Sequence, residues 1–128
     1  MANNTITFDP SVRTPYGVNL TMYTGVDFEE TFKILNNDRS NYNLTSHTMY
    51  SQMTKTVSIG SSGVPTASFT ETITDATKGE FKITLSKETT IPIKSGRYEY
   101  DIIMGVGSSL YSLARGNISV FTGISTNT

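Results

Sequence analysis

Hydrophobic and polar residues alternate along most of this chain with a period of two, the repeat of a strand that buries one face. The clearest case runs from Gly96 to Val120. There Tyr98, Tyr100, Ile102 and Met104 alternate with Glu99 and Asp101, and Ile118 and Val120 alternate with Asn117 and Ser119. Gly105-Val106-Gly107-Ser108-Ser109 between the two runs supplies turn chemistry, so the stretch predicts a hairpin. Upstream, Val18, Leu20 and Met22 alternate with Asn19, Thr21 and Tyr23. Val26, Phe28, Phe32 and Ile34 alternate with Asp27, Glu29, Thr31 and Lys33, and Glu30 falls on the apolar side. From Thr48 to Val57, Met49, Ser51, Met53 and Val57 face one way, and Thr48, Tyr50, Gln52, Thr54 and Thr56 the other. Ala67 to Ile73 and Glu80 to Leu85 form a further pair of strands joined by Asp75-Ala76-Thr77-Lys78-Gly79, with Phe81, Ile83 and Leu85 towards the core.

Breakers fall between these runs. Asn36-Asn37-Asp38-Arg39-Ser40-Asn41 is a polar turn cluster, and Gly60-Ser61-Ser62-Gly63-Val64-Pro65 reads as a flexible loop. Ser86 to Ile91 is suited to a short helical turn that Pro92 stops. The first fifteen residues carry Pro10 and Pro15 and read as extended, with a short strand at Thr5 to Phe8. Seven to eight short strands with turn signals between them, and no long helix, predict one all-β domain. The expected form is an antiparallel β-sandwich or a small barrel. The expected division is an extended N-terminal arm over residues 1–24 and a sandwich over residues 25–128.

Composition sharpens this picture in two ways. With 128 residues the chain can bury one real core but not two. It holds 21 Thr and 15 Ser, and the β-branched threonines suit a pleated, half-exposed surface. The ten Lys and Arg are scattered and the net charge is -1, which argues against nucleic acid as a partner. Cysteine is absent, so no disulfide or thiolate site is available. No N-terminal basic-then-apolar segment and no long apolar run is present, so neither secretion by a signal peptide nor a membrane span is expected. The sequons at Asn3, Asn19, Asn43 and Asn117 carry no weight without such a signal.

Candidate chemistry is sparse. His47 is the only histidine and has no carboxylate beside it in sequence, so a structural role is expected rather than that of a catalytic base. Asp27, Glu29 and Glu30 form the one dense acidic cluster; alternation puts Asp27 and Glu29 on the exposed face, read as solvated with loose calcium binding as the lesser alternative. Gly105 to Ser109 has a glycine-rich look, but no helix and no lysine follow to make a phosphate site. Asp101 with Arg97 and Arg115 is expected to form a cross-strand ion pair that fixes register. No cofactor, no metal and no enzymatic activity are expected.

Certain segments are similar to a known family. Gly96-Arg97-Tyr98-Glu99-Tyr100-Asp101-Ile102 matches a G-x-Y-x-Y-D-[IV] strand, and Arg115-Gly116-Asn117-Ile118-Ser119-Val120 gives its closing strand in reduced form, with the arginine adjacent to the glycine. Gln52-Met53-Thr54-Lys55 matches the end of a third strand, Y-x-x-x-x-Q-[IM]-x-K. Over roughly residues 25 to 124 the chain resembles small immunoglobulin-like structural proteins of tailed bacteriophages, especially the contractile-tailed phages of cyanobacteria. The resemblance implies an immunoglobulin-like β-sandwich and a non-enzymatic virion protein, a tail or baseplate accessory or adaptor subunit assembled in the host cytoplasm. Its partners would be other virion structural proteins in a multimeric assembly, with no nucleic acid and no membrane. The N-terminal arm would pack on a neighbour, and Tyr16, Tyr23, Tyr42 and Tyr111 are the candidate interface anchors. The alternatives are a capsid decoration protein and a module that binds host glycan through exposed tyrosines.

Overall fold

The structure is a computed structural model that describes residues 4–9, 15–55 and 66–122. Its strands are β1 (Asn4–Thr7), β2 (Tyr16–Gly17), β3 (Leu20–Thr24), β4 (Phe28–Leu35), β5 (His47–Lys55), β6 (Ala67–Ser68), β7 (Thr70–Asp75), β8 (Glu80–Leu85), β9 (Gly96–Val106) and β10 (Ser109–Thr122). They form two sheets packed as a β-sandwich. One has four strands in the order β1-β4-β8-β7. The larger runs β2-β10-β9-β5-β6, with β3 also on the β10 edge. A 3-10 turn over Ala76–Lys78 joins β7 to β8, and α1 (Lys87–Thr90) is the single turn expected before Pro92.

The core lies between the sheets and follows the alternation. Phe28, Phe32 and Ile34 from β4 meet Phe81, Ile83 and Leu85 from β8 on one side. Met49, Met53, Tyr98, Tyr100, Ile102, Met104, Ile118 and Val120 line the other. Phe32 and Phe81 stack with ring centroids 5.2 Å apart, and both are fully buried. Two buried hydroxyls are satisfied from within. Ser51 Oγ donates to the Asp101 carbonyl at 2.7 Å, and Thr90 Oγ1 accepts the Gly25 N–H at 3.1 Å while lying 3.0 Å from the Val26 carbonyl.

Three expectations change. The sheets are mixed, not antiparallel: β1 runs parallel to β4, and β2 and β3 run parallel to β10. Alternation reports which face is buried and carries no information about strand direction. The first 24 residues, read as an extended arm, supply strands to both sheets, with Ile6, Phe8, Leu20 and Met22 buried in the common core. The run from Ala67 to Ile73 is two strands. Phe69 turns into the core between them, its N–H donating to the Ser51 carbonyl at 2.9 Å, and the chain crosses from the larger sheet to the smaller there. That split, with the two-residue β2, brings the strand count to ten among the described residues. Val57 and the Gly60–Pro65 loop lie outside the described residues.

The closing hairpin is close to its expected form. β9 and β10 pair antiparallel from Val106–Ser109 to Gly96–Val120, but the turn is only Gly107-Ser108, with Gly107 at φ 58. Positive φ at the first central position is what a two-residue hairpin turn of the II′ kind demands. Gly105 belongs to β9 instead: the Tyr50 and Leu110 side chains lie over it, 3.5 and 3.4 Å from where a Cβ would stand. A bulge between Ser112 and Ala114 places Leu113 and Ala114 both inward.

Candidate functional site on the outer face of the larger sheet

The outer face of the six-stranded sheet is built from the residues that alternate with the core. Three cross-strand rows of β5, β9 and β10 define it: Tyr50–Ile103–Ser112, Gln52–Asp101–Arg115 and Thr54–Glu99–Asn117. Directly opposed residues share a face, so these nine side chains form one surface. Two adjoining hollows of about 560 and 350 Å³ lie on it and share Gln52 and Asp101. The larger takes in Tyr50, Ile103 and Leu110 and opens at the edge where β6 gives way to β7. The smaller includes Thr54, Glu99 and Arg115.

Polar groups on this face differ in how they are held. Gln52 Nε2 donates to Ser68 Oγ at 3.0 Å. Burial raises the Asp101 pKa, opposed by the positive charge of Arg115 directly across the ladder. No ion pair closes between Asp101 and either arginine: Arg97 stands opposite Ser119, and Arg115 faces Asp101 across the ladder without closing on it; among the described residues the ion pair that forms is Lys82–Glu29, at 3.1 Å. At the open end of the larger hollow, Glu71 accepts the Ser51 N–H at 2.8 Å, and burial raises its pKa against that bond.

A raised carboxylate pKa means that the folded state holds its proton more tightly than the unfolded chain does. Its contribution is therefore fully present below the ordinary values of 3.8 for Asp101 and 4.5 for Glu71, and is lost as pH rises through the folded-state pKa. Asp101→Asn is accordingly expected to stabilise the protein at pH 7 and to flatten its stability profile between neutral pH and pH 4. Urea unfolding of both proteins at a series of pH values measures this, and a variant less stable at pH 7 would contradict it.

The residues singled out from sequence fall in separate places. Tyr16 on β2 is exposed and lines a shallow hollow with Phe8 and Leu113. Tyr23 is exposed at the far end of β10 and pairs with Phe121, ring centroids 5.9 Å apart. Tyr42 and Tyr111 are half-buried and flank Phe8 edge-on at 5.4 and 5.3 Å, so both serve the packing of β1 against the sheets. Burial, followed by the nearby Tyr111, raises the Tyr42 pKa. His47 has both ring nitrogens engaged, Nδ1 with the Thr45 carbonyl at 2.9 Å and Nε2 with the Tyr42 hydroxyl at 3.0 Å. Because Thr45 O can only accept, Nδ1 carries the proton in the neutral ring and Nε2 accepts from Tyr42. The acidic cluster is dispersed: Asp27 accepts the Lys87 N–H, Glu29 pairs with Lys82, and Glu30 accepts from Asn4 Nδ2. Among the described residues no three metal-ligating side chains converge.

Tyr50 is absent from the sequence candidates although it is half exposed and central to the outer face. The signal was present, since alternation with Met49 and Ser51 turns Tyr50 outward. Its neighbours across the sheet are set by pairing over fifty residues and are not visible in one strand.

The fold has a counterpart. In structure the chain is similar to the N-terminal domain of phage TP901-1 ORF48, with a TM-score of 0.51 and 16% identity over 94% of this chain and 98% of that chain. The two share a fold. The bradyzoite-specific antigen BSR4 of Toxoplasma gondii gives a TM-score of 0.44 at 10% identity over 96% of this chain and 50% of that one, too low to carry an argument. No protein-family description matches the chain, and no curated protein matches it in sequence.

Proposed function

We propose that this protein is a non-enzymatic structural component of a bacteriophage virion, an accessory or adaptor subunit of the tail or baseplate. The observation that carries the reading is the fold shared with the phage TP901-1 ORF48 domain over nearly the whole of both chains. The Gly96–Ile102 and Arg115–Val120 strands support the finer kinship with immunoglobulin-like proteins of contractile-tailed cyanophages. The protein acts by binding. β1 and β7 end the four-stranded sheet and offer main-chain groups to a neighbour, and the exposed Tyr16 and Tyr23 supply amphipathic anchors. Mass spectrometry of density-purified particles is expected to find this chain at a fixed ratio to the major virion proteins, and its absence overturns the proposal. Immunogold labelling of the same particles is expected on the tail; labelling on the head would make it a capsid decoration protein.

A further inference from the structure

We propose that the outer face of the six-stranded sheet binds an uncharged oligosaccharide, laid along β9 between Tyr50 and Arg115. The floor of the trough is the first argument. β9 is paired on both sides, with β5 and with β10, along the stretch from Glu99 to Ile103. Its main-chain donors and acceptors are consumed in those ladders, so an extended peptide lying there gains no strand pairing. A ligand in the trough is recognised by side chains alone and must itself carry a high density of hydroxyl donors and acceptors.

The side chains match that requirement. Tyr50 is 52% exposed and presents a ring of the sort on which the C–H face of a pyranose packs. One step along the strand, Gln52, Asp101 and Arg115 form a single cross-strand row that offers an amide, a carboxylate and a guanidinium fork. Each of these planar groups can engage two neighbouring hydroxyls, and Asp101 and Arg115 are not closed into an ion pair with each other. Thr54, Glu99 and Asn117 repeat the pattern in the next row. From Glu99 to Ile103 the trough runs about 13 Å along the strand, the length of a short chain of sugar rings rather than of one. Glu71, Glu99 and Asp101 outnumber Arg97 and Arg115 on and beside this face, which disfavours acidic ligands. Within the two hollows the exposed large apolar side chains, Tyr50 and Leu110, lie at one end, which suits stacking at one subsite and hydrogen bonding at the rest.

The test uses the purified full chain. On a printed array of neutral and acidic microbial oligosaccharides, binding is expected to at least one neutral glycan and not to the acidic ones. Titration of the best neutral glycan, followed by amide NMR, is expected to shift residues 50–54, 99–103 and 110–117. Tyr50→Ala and Asp101→Ala are each expected to weaken the affinity about tenfold or more, while Ile91→Ala, exposed just after α1 and outside both hollows, leaves it unchanged. Unshifted amides of the buried residues Phe32 and Ile83, in the four-stranded sheet, show that the variants are folded. Silence across the neutral glycans, preference for acidic ones, or undiminished binding by both variants overturns the proposal. These readouts concern the isolated protein, so they stand or fall apart from its presence in a virion.

Discussion

Gly116→Ala is expected to be among the most destabilising single changes in the protein. Gly116 sits on β10 where the chain steps from β2 to β3, and a Cβ there would stand 1.9 Å from the Val18 carbonyl oxygen and 2.7 Å from its carbon. Both are backbone atoms, so no rotamer change relieves the clash. Val18 is fixed by three contacts nearby. Its N–H donates to the Arg115 carbonyl at 3.0 Å, its carbonyl accepts the Tyr100 hydroxyl at 2.7 Å, and the adjacent Asn19 side chain accepts the Asn117 N–H at 3.1 Å. Moving Val18 away leaves the buried Tyr100 hydroxyl without its partner. Overpacking costs about 1–3 kcal/mol and a stranded buried hydroxyl about 1–3 kcal/mol more. Together these are comparable to a large fraction of a domain's stability. Gly17→Ala is the control, since nothing lies within 4 Å of its Cβ position. Urea unfolding is expected to separate the two variants clearly, and hydrogen exchange to show early opening of β3 in Gly116→Ala. Equal midpoints for Gly116→Ala and wild type would mean that Val18 does not cross β10 there.

Phe32→Ala is the second. Phe32 is completely buried at the centre of the four-stranded sheet and stacks on Phe81 at an interplanar angle of 11°. Truncation removes a large apolar surface and leaves a cavity that the paired strands around it cannot collapse, a cost of about 3–5 kcal/mol. The melting temperature is expected to fall on the order of 15 °C. Phe32→Leu, which refills most of the space, is expected to lose much less. A fall of only a degree or two for the alanine variant would contradict the placement of Phe32 between the sheets.

The same two sites show what a single sequence makes legible. Phe32 announced itself, because Phe28, Phe32 and Ile34 alternate with polar neighbours and a period of two fixes the buried face of a strand locally. Tyr98, Tyr100, Ile102 and Met104 were readable for the same reason, and all four are buried. Gly116 gave no such signal. Its neighbour Val18 lies about a hundred residues upstream, and only the parallel docking of β2 and β3 against β10 brings the two together. The tyrosines divide along the same line. Tyr42, between β4 and β5, and Tyr111, on β10, converge on Phe8, a contact that neither residue's own neighbours in the chain reveal.

What the sequence determined, then, is the all-β character of the chain, the inward and outward faces of its longer strands, and the position of the closing hairpin. Those are properties of neighbouring residues, set by steric alternation and turn chemistry over a few bonds. The tertiary structure alone decided the strand order, the parallel pairings of β1, β2 and β3, and the switch of sheet at Phe69. It also decided the row that sets Gln52, Asp101 and Arg115 side by side. Each of these depends on which distant strands meet, and that is chosen by the free energy of closing one shared core, a quantity no local pattern contains.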